Sequence, residues 1–226
     1  MTVADETSFD VQEGAAIGIL GPNGAGKTSL FSLITGALKP DGGRIVFDGS
    51  DITALSAAQR CKMGISRSFQ VPQPFGGLTV FENALVGASQ GAGLGGAEAE
   101  TQALDILEQT GLMPKANVKA GALTLLERKR LEMARALSAK PKLLLLDEIA
   151  GGLTDAECVA LIDTIKSVHA SGTTIIWIEH VVHALLSVVN HLIVIDFGKM
   201  IAQGPPKEIM ESAEVKEIYL GVDPDA

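Results

Sequence analysis

The chain has 226 residues, 46% of them hydrophobic, enough for one substantial folded domain and too apolar for a disordered chain. Its formal charge of −9 lacks the basic footprint that a nucleic-acid backbone demands, and seven Phe, one Tyr and one Trp leave little for base stacking. Two cysteines, Cys61 and Cys158, are too few for a disulfide framework and read as reduced thiols on helical segments.

The opening MTVADETSFDVQEG has neither a basic start nor an apolar run, so it does not read as a secretory leader. A strand follows at Ala15–Leu20, then GPNGAGKTS (Gly21–Ser29), then a helical pattern over Lys27–Gly36. This stretch matches G-x-x-x-x-G-K-[ST] between a strand and a helix, the setting its chemistry requires. Gly21, Pro22, Asn23, Gly24, Ala25 and Gly26 form a loop whose glycines let the backbone wrap a phosphate chain, with amides from about Asn23 to Thr28 donating. Lys27 brings a point charge to the β- and γ-phosphates, the Thr28 hydroxyl suits Mg²⁺, and Ser29 reaches the α-phosphate.

Arg44–Gly49 reads as another strand. In SRSFQVPQPF, Gln70 leaves a short strand, and its neutral amide has the reach for Mg²⁺ or an attacking water; alone it is an ordinary loop glutamine. From Thr79 to Ala139 the patterns are helical with no convincing strand, which makes about 71–140 a helical subdomain between core segments 1–70 and 141–226. Gly91, Gly93 and Gly96 satisfy G-x-G-x-x-G, but without a preceding strand or a later acidic partner they read as a flexible loop. In LTLLERKRLEMARAL, Thr124 and Glu127 form a capping box at a helix start, either structural punctuation or an anion site.

The apolar run KLLLLD delivers Asp147 beside a cation, and Glu148 then stands where a carboxylate orients water; alone, the two acids also suit a helix start, the less favoured reading. A helix over Asp155–Ala170 precedes the strand TTIIWIE. His180 follows, either a γ-phosphate contact or a satisfied half-buried imidazole, and with His183 it lacks a third ligand for a metal. Val181–Ile195 is too short for a membrane span and is broken by His183, Asn190 and His191, so it reads as a helix over Val181–Val189 running into the strand His191–Phe197. Apolar strands alternating with helices predict an α/β fold: a P-loop NTPase core with a mainly parallel sheet.

The order Gly21–Ser29, Gln70, capped helix at Thr124, Asp147–Glu148, His180 resembles the ATPase subunits of ABC transporters across nearly the whole chain. The resemblance implies ATP and Mg²⁺, with Glu148 as catalytic glutamate, His180 as switch histidine and Gln70 as mobile-loop glutamine. It further implies a second ABC ATPase subunit, a copy or a paralogue, sandwiching two ATP molecules. Membrane permease subunits and, indirectly, a solute-binding protein are the other implied partners, and nucleic acid is not one. The location implied is cytoplasmic, peripheral on the inner face of the membrane.

Where the family has Leu-Ser-Gly-Gly-Gln opening a helix toward the phosphate held by the other subunit, this chain has Leu123–Glu127. Thr124 keeps a hydroxyl at the cap, Leu125 and Leu126 replace the glycines, and Glu127 brings negative charge, which reads as a modified signature with weakened phosphate contact. Ile149 replaces the usual proline, Thr154 stands for the usual aspartate, and the family's first strand with its adenine-stacking aromatic is missing, only Phe9 being offered. FENALVGA (Phe81–Ala88), ERKRLEMARAL (Glu127–Leu137) and EIYLG (Glu217–Gly221) look like ATPases of branched-chain amino acid importers. The expectation is an ATP-hydrolysing importer subunit for hydrophobic amino acids. The alternatives are a nucleotide-gated subunit with little hydrolysis, or a soluble ABC ATPase outside transport.

Overall fold

The computed structural model describes residues 4–5 and 7–220, with side chains as far as residue 216. Residues 1–3 and 6, part of the stretch tested as a leader, and Gly221 of the closing Glu217–Gly221 lie outside the described residues.

Strand β1 (Ala16–Leu20) leads through the glycine loop into helix α1 (Lys27–Thr35). A small antiparallel hairpin, β2 (Val46–Phe47) and β3 (Ser50–Asp51), precedes α2 (Ala57–Lys62) and β4 (Ile65–Ser68). Three helices follow: α3 (Val80–Val86), continued by a π-helical turn at Gly87–Gly91, α4 (Gly96–Gln109) and α5 (Leu125–Ser138). The chain then alternates β5 (Leu143–Asp147), α6 (Asp155–Ala170), β6 (Thr174–Ile178), α7 (Val182–Leu186) and β7 (His191–Asp196), before β8 (Lys199–Gly204), α8 (Pro206–Glu211) and α9 (Ala213–Leu220).

Six strands form one sheet in the order β4-β5-β6-β1-β7-β8, parallel except for β8. The central strands are apolar on both sides because both faces are covered. Leu144, Leu146, Ile175 and Trp177 point into a cluster with Met133 of α5 and Leu161 and Ile165 of α6. Their neighbours Leu143, Leu145, Ile176 and Ile178 pack on the opposite face with Leu30 and Phe31 of α1. A third cluster, with Val80, Ala84, Leu107 and Leu131, holds α3, α4 and α5 together.

Several elements depart from the sequence reading. Only Val46–Phe47 of Arg44–Gly49 is strand, and it folds back on Ser50–Asp51 through Asp48 and Gly49 at φ 50° and 73°, a left-handed turn outside the main sheet. The glycine-rich stretch is only partly a loop: Gly87–Gly91 winds as a π-turn and α4 already starts at Gly96. Helix α7 is shorter than Val181–Val189. Edge strand β8 went unforeseen because its residues alternate between exposed and half-buried with no apolar stripe.

Arg60 on α2 ties the hairpin side to α1. It is fully buried, and its guanidinium donates to the carbonyls of Leu33 (2.6 Å), Ile34 (2.9 Å), Thr53 (3.0 Å) and Leu55 (3.1 Å). Two of these belong to the last turn of α1, where Leu33 also accepts from the Gly36 amide, and a cation there matches the helix dipole. Arg60→Met is expected to cost about 3 kcal/mol of stability by stranding these acceptors, read as a lowered urea midpoint at unchanged slope.

Candidate functional site

The parallel register brings the carboxyl ends of β1, β4, β5 and β6 to one edge of the sheet. These ends carry Gly21–Ser29, Gln70, Asp147–Glu148 and His180 respectively, so residues up to 159 positions apart meet. Open α/β sheets bind ligands outside this edge. The resulting cleft, about 310 Å³, is lined by Asn23–Ser29, Gln70 and Glu148.

The glycine loop is shaped by conformations and contacts that side chains would spoil. Gly24 and Gly26 sit at φ 85° and 101°, and a Cβ on Gly21 would lie 2.2 Å from the Ile195 carbonyl oxygen. Gly198, at the β7–β8 turn, donates its amide to the Ala25 carbonyl (2.8 Å) and braces the loop from behind. The buried Lys27 ammonium donates to the carbonyls of Gly21 (2.7 Å) and Pro22 (2.9 Å). Burial lowers its pKa, while the charges of Glu148 and Asp147 raise it. The loop thus presents amides and one cation, and the start of α1 adds its dipole: a cradle for a polyanion.

Across the cleft, Asp147 is 2% exposed, and its Oδ2 accepts from Arg67 Nη2 at 2.5 Å. Arg67 lies against the rings of Phe31 and Phe69 and also donates to Ser32 Oγ (3.2 Å). Burial pushes the Asp147 carboxyl up, and the bond from Arg67 pulls it down. Its other oxygen, Oδ1, is buried without a partner, a costly state that a cation would relieve. Among the described residues no group of three His, Cys, Asp or Glu side chains could hold a metal ion. The unpartnered Oδ1 suits Mg²⁺, which takes one or two protein ligands and fills its shell from phosphate and water. Asp147 and the exposed Thr28 are the groups that would hold it.

Glu148 stands between two donors. His180 Nε2 lies 2.7 Å from Oε1, and Gln70 Nε2 donates to Oε2 at 2.5 Å. The Glu148 amide donates to the Ile178 carbonyl (2.8 Å), and its φ of 48° is left-handed, a strain of about 1 kcal/mol for a side chain with Cβ. The carboxylate keeps lone pairs for a water.

Thr124 and Glu127 are not among the residues lining this cleft. Thr124 accepts from the Glu127 amide (3.4 Å), and Glu127 Oε2 accepts from the Thr124 amide (2.9 Å), while Lys115 pairs with Oε1 at 3.3 Å. The charge of Glu127 is therefore answered within the chain, and Leu125 beside it is 44% exposed. Three residues at the edge escaped the sequence reading: Arg67, Glu179 and the buried Lys129 of α5. A charged residue at the end of an apolar strand was the available signal for Glu179, while Arg67 sits in the polar run Ile65–Ser68 and carried none.

Residues 4–151 match the ABC transporter family model. The chain belongs to the ABC transporter ATPase family. The cassette is 36% identical to the high-affinity branched-chain amino acid transport ATP-binding protein BraF of Pseudomonas aeruginosa, over 95% of this chain and 90% of that protein. It is 33% identical to the lipopolysaccharide export system ATP-binding protein LptB of Escherichia coli K12, over 98% and 92%. The ADP conformation of MJ1267, an ATP-binding cassette of an ABC transporter, superposes with a TM-score of 0.88 at 34% identity, over 97% of this chain and 93% of that one.

In this cassette Thr154 caps α6 in a box with Glu157. Gln73 links the Gln70 loop to α5, its amide donating to Glu132 (3.3 Å) and its carbonyl accepting from Arg135 (3.1 Å). No described helix is long and apolar enough to cross a membrane.

Proposed function

We propose that the cassette hydrolyses ATP to ADP and phosphate and drives a membrane importer for branched-chain or other hydrophobic amino acids. The observation carrying the hydrolytic reading is Glu148, held 2.7 Å from His180 and 2.5 Å from Gln70 at the mouth of the glycine loop. The loop amides and Lys27 hold the phosphates, and Ser29 reaches the α-phosphate. Thr28 and Asp147 would hold Mg²⁺, which would supply neutralisation of the phosphate charge. Glu148 orients a water and takes its proton as the oxygen attacks the γ-phosphorus and the bond from that phosphorus to the bridging oxygen breaks, ADP leaving with the oxygen. His180 steadies the carboxylate, and its Nε2–H is the donor that could be shared with the γ-phosphate. Catalysis of this kind is mostly placement and charge.

Coupling fits the Gln70 segment. Phe69, Val71 and Phe75 around it are 48–64% exposed, an apolar patch suited to permease subunits. The Gln73 link would carry its movement to α5, whose capped start faces a second ATPase subunit, copy or paralogue. The cassette then lies on the cytoplasmic face of the membrane, held there through the permeases, with a solute-binding protein acting on the far side. Similarity to BraF and the stretches Phe81–Ala88 and Glu127–Leu137 support an amino-acid cargo; similarity to LptB supports export as the competing reading. Reconstitution with the permease subunits in vesicles separates them. ATP-dependent leucine uptake is expected, and export with no uptake would overturn the importer reading. The exposed Leu125 favours a second possibility, a nucleotide-gated subunit with little turnover, which the rate of ATP hydrolysis in the same vesicles decides.

A further inference from the structure

The edge of the sheet holds a carboxylate that the hydrolytic reading does not use. Glu179 follows β6 and is 1% exposed, yet it neither lines the cleft nor pairs directly with a cation. Its two oxygens are spent on backbone amides from two different strand exits. Oε2 accepts from the Ala150 amide at 2.9 Å, two residues beyond Glu148. Oε1 accepts from the amides of His180 (2.9 Å) and Val181 (3.3 Å). Bonds from amides to a charged acceptor are stronger than neutral ones, and in a buried setting they fix both partners.

The charge is also placed against a second unused group. Lys129 on α5 is 4% exposed, and burial lowers its pKa while Glu179, ahead of Glu148, raises it. A buried carboxylate with three amide donors and a buried ammonium nearby is a satisfied structural charge. Its location turns it into more than packing. The two segments it clamps are the ones that present Glu148 and His180 to each other, and misplacement of about 1 Å between reacting groups costs on the order of 100-fold in rate.

We infer that Glu179 is a positioning residue that locks the Glu148–His180 pair in register by bridging the exits of β5 and β6. The inference rests on the hydrolytic reading of that pair. Glutamine is the discriminating substitution. Glu179→Gln keeps the shape, but one carbonyl oxygen serves only one exit, and its NH₂ group then faces an amide donor on the other.

Three measurements on the full chain test it. Glu179→Gln is expected to lower kcat about 100-fold while ATP affinity by calorimetry stays within threefold, a split that general destabilisation would not produce. In a His180→Ala background the same substitution is expected to change kcat less than threefold, since the pair it positions is already broken. Hydrogen exchange on the unmodified protein should find the Ala150, His180 and Val181 amides slow to exchange, a readout independent of whether the variant folds. Wild-type kcat in Glu179→Gln, an additive loss beside His180→Ala, or fast exchange at these amides would overturn the inference. If Glu148→Gln and His180→Ala lose turnover while Glu179→Gln does not, the clamp alone falls. If Glu148→Gln turns over normally, the hydrolytic reading falls and the clamp with it.

Discussion

Glu148→Gln is expected to cut ATP turnover by roughly 10²- to 10⁴-fold while changing ATP affinity by no more than a few-fold. The substitution keeps the volume of a side chain that is already hydrogen-bonded at both oxygens, to His180 and Gln70. What it removes is the acceptor for the proton of the attacking water. It also turns one of the two ends into a donor facing another donor. Binding, by contrast, depends on the glycine loop on the other wall of the cleft. Steady-state kinetics and calorimetry on one preparation check both halves. A variant with near wild-type kcat would remove Glu148 from the chemistry.

The second large effect falls on Lys27. Its ammonium is the one cation among the residues Gly21–Ser29, and it donates to the carbonyls of Gly21 and Pro22. Exchanging those neutral acceptors for phosphate oxygens gains charge-assisted bonds worth about 1.5–3 kcal/mol. Lys27→Ala is therefore expected to weaken ATP binding roughly 10- to 100-fold or more, and to cost about 1–3 kcal/mol of stability because the buried Gly21 carbonyl loses its donor. Titration calorimetry reads the affinity, and a thermal melt reads the fold. Unchanged affinity would mean that the phosphates lie elsewhere.

The pieces of this site differ in how openly the chain declares them. Gly21–Ser29 is local: nine consecutive residues carry the turn, the charge and the hydroxyl, so spacing alone identifies them. Asp147 and Glu148 are nearly as open, because an apolar strand ending in two acids is rare without a use. Gln70 and His180 acquire meaning only from their order relative to the others, and the sheet register explains why, since four strand ends separated widely in sequence share one edge. Arg67 was silent because its partner Asp147 lies far away, and the bridge that Glu179 makes was silent because Ala150 leaves a different strand. Side-chain bonds across strands leave no periodicity behind. The same holds for Glu127, whose negative charge looked hostile to a phosphate until Lys115 was found beside it.

In the fold, the fully buried strands were legible from their unbroken apolar runs. Strand β8 was not, since an edge strand with one wet face and an antiparallel partner needs only a weak pattern. The hairpin at Val46–Asp51 deceived for a related reason. Its apolar residues resemble a core strand, but Val46 is 52% exposed and pairs with a two-residue partner only.

Titrating ATP into the wild-type chain, once with Mg²⁺ and once with chelator, is the most direct test. Saturable binding that tightens with Mg²⁺, and loses that gain in Asp147→Asn, is the expected result. No saturable heat, or the same affinity with and without the cation, would contradict the joint action of the glycine loop and the acidic strand end on one nucleotide.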